Sequence, residues 1–106
     1  SPFEQVVIDA ATAQGLQCVP RVGVGGYRVD IAVRHPQEPE RFVLAIECDG
    51  PNFSEAPACR DREIGRAGVL TRMGWNIHRS FSTAWHKDPE AELARLLESY
   101  RAASLK

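Results

Sequence analysis

The sequence lacks the features that mark several common protein classes. Its 106 residues include only three cysteines and no C-x-x-C pair, which suits neither a disulfide framework nor a zinc site. We therefore expect reduced thiols and a cytoplasmic location. The chain also has no recognisable signal peptide, and no apolar run approaches the roughly 18 residues of a membrane span, so no membrane partner is expected.

An excess of charge of one sign is also missing. Lys and Arg total 13 and Asp and Glu total 14, so the overall charge gives no support to nucleic-acid binding. The distribution is less even, because the segment 60–79 is rich in arginine and has only two acidic residues, Asp61 and Glu63. The length suits one domain with one core, residues 1–106. Since the chain starts at Ser1 and not at Met, we expect a domain cut from a longer protein.

The hydrophobic pattern predicts the order helix, three strands, helix, strand, helix. Ser1, Pro2 and Glu4 form a capping box that begins the first helix, and Gly15 is a natural end for it. The remaining elements are a short strand before the GVGG turn, strands over 27–34 and 42–49, a helix over 58–73, a strand over 75–81 and a last helix that begins at Asp88-Pro89. His35, in the proline-rich turn between two strands, is expected at the surface. The fold class is therefore α/β with a mixed sheet.

The segment LAIECDG, residues 44–50, ends an apolar strand with two carboxylates, Glu47 and Asp49. Acids that lie together at a strand end need a proton, an arginine or a metal ion. Hard divalent cations prefer oxygen ligands, and Mg²⁺ typically takes one or two carboxylates together with water and phosphate. The alternative is a solvated strand end with Arg28 as the counterion.

A short loop joins strands 27–34 and 42–49, which predicts an antiparallel hairpin. One register matches the apolar faces and brings Asp30 directly opposite Glu47. A slip by two residues would keep the faces and move the pairs. The pairs of the favoured register are Val33–Leu44, Ile31–Ile46, Asp30–Glu47, Val29–Cys48 and Arg28–Asp49.

Asp30 in a hairpin strand, followed by Glu47-Cys48-Asp49-Gly50 at the end of the next, resembles the PD-(D/E)XK nuclease superfamily. The chain is most similar to restriction-endonuclease-like domains related to very-short-patch-repair (Vsr) endonucleases, often C-terminal in superfamily 1 helicase-like proteins. The resemblance implies a three-layer α/β/α fold with an αβββαβ core, here followed by a C-terminal helix. It is carried by the stretches SPFE, VGVGGYRVDIAV, IECDG, CRDRE and GWNIHRSFSTAW with DPE after it.

The resemblance implies metal-dependent hydrolysis of DNA phosphodiester bonds, by an endonuclease or nickase. Asp30 and Glu47 would hold Mg²⁺, for which Mn²⁺ can substitute, and the backbone carbonyl of Cys48 would be a third ligand. Glu4 matches an acid that often points into such sites, although the capping box explains it equally. Asp49 stands where the superfamily usually has Lys, but the Vsr-related branch also carries Asp there. Asp49 would hold a second ion or a metal-bound water, or pair with Arg28.

One departure from the branch leaves a second function open. Phe53-Ser54 stands where Tyr-His is common, and Ser54 cannot act as a general acid or base near neutral pH. The alternative is therefore a degenerate nuclease fold that binds DNA or a protein without cutting. A purely structural domain is a third interpretation, and it predicts that the acids and arginines do not converge on one cleft.

Four arginines are candidates for contacts with DNA: Arg60, Arg62, Arg66 and Arg79. The planar guanidinium suits phosphate because it donates two hydrogen bonds at once. The alternative is a solvated helix face on which Asp61 and Glu63 neutralise the arginines. The expected partners are DNA and a helicase domain of the same polypeptide, in repair, restriction or defence.

Overall fold

The computed structural model describes residues 1–49, with the backbone alone for Asp49, and residues 70–106. The elements follow the predicted order, with one addition. They are α1 (Pro2–Ala13), β1 (Cys18–Val24), β2 (Tyr27–Arg34), β3 (Phe42–Asp49), β4 (Asn76–Phe81), α2 (Ser82–Lys87) and α3 (Pro89–Ser104). Residues 70–72 are helical, and the rest of the predicted helix over 58–73 lies outside the described residues. The short helix α2 was not predicted.

Helix α1 begins and ends through the local signals in its sequence. The Ser1 hydroxyl accepts a hydrogen bond from the Glu4 amide at 3.3 Å, as expected for a capping residue. At the other end Gly15 has φ +90°, and its amide donates to the Thr12 carbonyl. Leu16 then donates to the Ala11 carbonyl, which completes a Schellman motif and directs Leu16 into the core. Both predicted ends of the helix are therefore confirmed.

The strands form one mixed sheet in the order β1-β2-β3-β4, antiparallel except for the parallel pair β3–β4. The pairs Ile31–Ile46 and Val33–Leu44 confirm the predicted register of the hairpin. A register shift follows Val33, since Arg34 pairs with Phe42 and not with Val43. Such a bulge re-aims side chains, and the neighbours Val43 and Leu44 accordingly pack into the same cluster.

Two apolar clusters lie on the two sides of the sheet. Helices α1 and α3 pack on one side, against the face that carries Ile31 and Ile46. The second cluster contains Ala32, Ala45 and the helical residue Leu70. Helical structure thus covers both faces, as the predicted three-layer arrangement requires. The apolar residues divide into two clusters because side chains alternate between the two faces along each strand, in step with the neighbouring strands.

Val29 departs from the predicted alternation. It was expected to share a face with Ile31, yet it packs in the second cluster, beside Ala32 and Leu70. The ladder of β2 and β3 runs from Arg34–Phe42 to Ile31–Ile46. In β1 the residue between the pairs Pro20–Ile31 and Val22–Val29 has a positive φ, which interrupts the regular pleat at this level. In the β1–β2 hairpin, the side chains beyond Ile31 therefore lie on different faces from those that regular alternation predicts.

His35 is buried, contrary to the surface position predicted from its turn. Its Nδ1 accepts a hydrogen bond from the Gln37 amide at 3.1 Å. The other ring nitrogen, Nε2, therefore carries the proton and donates to the Ser104 carbonyl at 3.2 Å. His35 thus joins the β2–β3 connection to the end of α3. No helix in residues 1–49 and 70–106 is long and apolar enough to cross a membrane.

Candidate active site

Asp30 and Glu47 meet where the ladder of β2 and β3 ends. The next pair in the confirmed register would be Asp30–Glu47, and here the Asp30 side chain bonds to the neighbouring backbone. Its Oδ2 accepts a hydrogen bond from the Cys48 amide at 2.8 Å. Since that amide belongs to the Glu47–Cys48 peptide group, the Asp30 carboxylate lies against the backbone of Glu47. The two predicted metal ligands are therefore adjacent, and Asp30 is held in place before any ligand binds.

Glu47 is buried, with 1% of its surface exposed. Its neighbour in β4 is Arg79, because the two residues pair in the parallel ladder. Paired residues of adjacent strands project from the same face, so a carboxylate and a guanidinium share this part of the sheet. A buried carboxylate is costly as an anion unless a positive charge accompanies it. Arg79, which lies in register with Glu47, meets that requirement in the structure, and a bound cation would also meet it.

The backbone of Arg79 is tied to α3. Arg95 donates a hydrogen bond from its guanidinium to the Arg79 carbonyl, and the same group contacts Glu92 Oε1 at 3.1 Å. Helix α3 thereby fixes the outer edge of β4 at the level of Glu47. Arg79 was predicted as a DNA contact, and the structure adds that it stands beside the acids.

Glu4 completes the capping box of α1 together with Ser1. The Ser1 hydroxyl donates to Glu4 Oε2 at 3.2 Å, in addition to accepting from the Glu4 amide. The same carboxylate lines a cavity of about 250 Å³ between α1 and β1. Arg21 and Pro20 form the β1 side of this cavity. A catalytic role for Glu4 stays a prediction.

Arg21 is the residue at this end of the sheet that sequence reasoning missed. It lies in β1 between the pairs Pro20–Ile31 and Val22–Val29, at the same level of the sheet as Asp30. An arginine in a short strand is an ordinary surface residue, so the sequence offered no signal. Its position depends on the pairing of β1 with β2 and on the approach of α1, both of which are tertiary features.

The donors at this end of the sheet suit a hard divalent cation. The carboxylates of Asp30 and Glu47 and the carbonyl of Cys48 all offer oxygen, the element that Mg²⁺ prefers. Among the described residues no three His, Cys, Asp or Glu side chains converge as a metal centre. A usual Mg²⁺ site has one or two carboxylates, supplemented by water and substrate phosphate. The residues present therefore fit the ion that the resemblance implies.

Several predicted residues lie outside the described part of the chain. Arg60, Arg62 and Arg66 belong to residues 50–69, as do Gly50 and the Phe53-Ser54 pair. For Asp49 the backbone is placed at the end of β3, level with Phe81 of β4. The roles predicted for these residues stay predictions.

His78 lies on the side of the sheet away from Glu47, since it pairs with Ile46 in the ladder. Its Nδ1 is 2.7 Å from the Ser99 hydroxyl of α3. The pKa of His78 is lowered from 6.5 to about 4, mainly by burial and to a smaller extent by the charge of Arg95, while Glu92 opposes the shift. The imidazole is therefore neutral near pH 7 and part of the core, so it does not replace the histidine expected near Ser54.

The model of a protein family, REase_MTES_1575, matches residues 3–99 of this sequence, which is most of the chain. The chain belongs to this restriction-endonuclease-like family. The REase_MTES_1575 match includes Glu4, Asp30, Glu47 and Arg79. The match supports the predicted resemblance to nucleases.

A solved structure gives the same result for the fold. The catalytic domain of the homing endonuclease I-Bth0305I superposes with a TM-score of 0.76, at 13% identity, over 95% of each chain. At that identity the likeness shows the fold alone, and it confirms the predicted restriction-endonuclease-like architecture. No curated protein matches the chain.

Proposed function

We propose that this member of the REase_MTES_1575 family is a metal-dependent DNA endonuclease or nickase domain that hydrolyses phosphodiester bonds. The observation that carries the proposal is the hydrogen bond between Asp30 Oδ2 and the Cys48 amide, at 2.8 Å, beside the buried Glu47. It holds the Asp30 carboxylate against the Glu47–Cys48 peptide group at one strand end of a restriction-endonuclease-like fold. Hard oxygen donors in that arrangement suit a metal that binds phosphate.

Asp30, Glu47 and the Cys48 carbonyl would hold Mg²⁺ or Mn²⁺. When bound, the ion would polarise the phosphoryl group and lower the pKa of the attacking water. The hydrogen bond from the Cys48 amide orients the Asp30 carboxylate. Burial keeps bulk water away from the Glu47 side chain. Asp49 would hold a second ion or an ordered water. Glu4 would act from the start of α1.

Arginines would supply the contacts with DNA. Arg79 stands in register with Glu47, and Arg60, Arg62 and Arg66 would extend the positive surface along the following segment. The resemblance to Vsr-related domains supports a cytoplasmic role within a larger helicase or DNA-processing protein. DNA would be the substrate and a helicase domain of the same polypeptide a partner.

Nicking of supercoiled plasmid in Mg²⁺ and in Mn²⁺ tests the proposed site. Asp30→Asn and Glu47→Gln should each lower the rate at least about hundredfold, since even the partners that support metal ligands are commonly worth 10–100-fold. Asn keeps an acceptor for the Cys48 amide, so the fold should persist. Glu38→Gln is the matched control, because Glu38 is 55% exposed and pairs with Arg41 before β3. Parent-like nicking by either site variant would refute the assignment.

A second candidate is a binding module derived from a nuclease. Asp49 in place of Lys and Ser54 in place of His favour it. It predicts DNA binding that weakens with salt and survives the double substitution Asp30→Asn/Glu47→Gln, without nicking by the parent. A lack of DNA affinity at low salt, with or without metal, would contradict both candidates.

A further inference from the structure

Arg21 has a backbone conformation that its residue type rarely adopts. Its φ is 57°, and it is the only residue other than glycine with a positive φ in the described ranges. The left-handed region is uncomfortable for a side chain with a Cβ, and it is rarer still within a strand. Residues held in such conformations cluster at functional sites, where the surrounding structure keeps them in place.

Arg21 lies near two acids that were predicted for the candidate site, Asp30 and Glu4. In β1 it lies between the pairs Pro20–Ile31 and Val22–Val29, at the level of Asp30, whose carboxylate bonds to the Cys48 amide. On the α1 side it lines the cavity of about 250 Å³ that Glu4 also lines. Arg21 thus lies on the β1 side of Asp30, whereas Arg79 lies on the β4 side of Glu47.

We propose that Arg21 binds a backbone phosphate of the DNA on the side of the site opposite Arg79. This inference rests on the proposed function for its substrate. A polyanion that approaches several carboxylates is repelled unless cations flank them, and Arg21 is exposed and carries the fork that phosphate favours. The positive φ sets the direction in which the side chain leaves β1. The competing role is an ion pair with Glu4 that only joins α1 to the sheet.

The test measures binding of a fluorescent DNA duplex over a range of NaCl concentrations in the Glu47→Gln background, which should not cut. Arg21→Asn removes the charge and keeps a residue that tolerates the left-handed region. We expect the Kd to rise about tenfold or more at low salt. The slope of log K against log salt should fall in magnitude by about 0.9, the value of one phosphate contact. Arg21→Lys should keep the slope and lose part of the affinity.

Arg41→Asn is the matched control, because Arg41 is an exposed arginine at the other end of β3. It should leave the Kd and the salt slope unchanged. An unchanged Kd and slope in Arg21→Asn, an equal loss in Arg41→Asn, or a lower melting temperature with an unaltered slope would each overturn the inference. Nicking by the parent is scored separately. If the parent binds DNA through Arg21 but does not nick it, the proposed nuclease function is refuted and the proposed phosphate contact of Arg21 is supported.

Discussion

Glu47 and His78 are both buried polar residues, but they lie on opposite faces of the sheet and have different neighbours. Glu47 stands in register with Arg79, near Asp30, where a cation is favoured. His78 is 3% exposed and contacts Ser99 in the interior between β4 and α3. Its Nε2 is buried without a hydrogen-bond partner among the described residues. A second ring proton would make the imidazole a cation with one nitrogen unsolvated in the core, which explains its neutral state.

We expect His78 to make the stability of the protein depend on pH between about 6.5 and about 4. As the pH falls through 6.5 the unfolded chain takes up a proton on this residue, whereas the folded chain keeps a pKa of about 4. The unfolded state then binds more protons, so stability falls over this window, by about 3 kcal/mol at most. Urea unfolding of the parent and of His78→Gln across this range measures the effect.

His78→Gln cannot titrate, so its unfolding free energy should vary less over that window than that of the parent. The acidic residues titrate in both proteins and cancel in the comparison. Equal pH dependence of the two proteins would show that the His78 pKa is the same in the folded and unfolded states.

At the scale of single elements, α3 connects the core to the candidate site. The apolar face of α3 packs on the sheet through Leu96, while Arg95 donates a hydrogen bond to the Arg79 carbonyl at the edge of β4. Helix α2 precedes it and is only six residues long. Its N-cap residue, Phe81, makes no side-chain cap hydrogen bond. A short helix without a cap leaves no mark in the sequence, which is why it was not predicted.

The start of α3 should contribute measurably to stability. Asp88 is the N-cap residue, and its Oδ1 accepts a hydrogen bond from the Ala91 amide at 3.1 Å. Asp88→Ala leaves that amide without its acceptor and should lower the unfolding free energy by about 1 kcal/mol. Asp88→Ser keeps a capping oxygen and should lose much less. Urea denaturation of the three proteins distinguishes them, and equal stabilities would exclude a role for the cap.

At the scale of the whole molecule, a small core has to hold four strands and the helices on both sides. The larger cluster joins α1, α3 and the sheet, and its centre contains Ile31, Ile46 and Leu96. In a chain of 106 residues the net stability is modest, so the loss of one central side chain affects all elements together.

Leu96→Ala should therefore lower the unfolding free energy by about 2–5 kcal/mol, because Leu96 is fully buried and the substitution leaves a cavity. Leu105→Ala is the matched control, since Leu105 is 89% exposed and should lose almost nothing. Thermal unfolding followed by circular dichroism measures both. A Leu96→Ala protein as stable as the parent would mean that α3 does not pack on the sheet as described.

The sequence by itself determined the order of the elements, the ends of α1 and the register of the central hairpin. These features depend on neighbouring residues: a capping box at Ser1 and Glu4, a glycine at position 15, and the alternation of apolar residues that sets Ile31 opposite Ile46. The register also predicted that Asp30 and Glu47 lie together, because a ladder carries pairing from one residue to the next.

Only the tertiary structure decided which other residues accompany the acids. It placed Arg21 level with Asp30, buried His35 against the end of α3 and turned Val29 towards Leu70. Each of these positions depends on contacts between segments distant in the chain. Local periodicity reports which side of a strand is apolar, but not which element covers that side or where a strand leaves its ladder. That is the physical reason that the acids could be predicted and Arg21 could not.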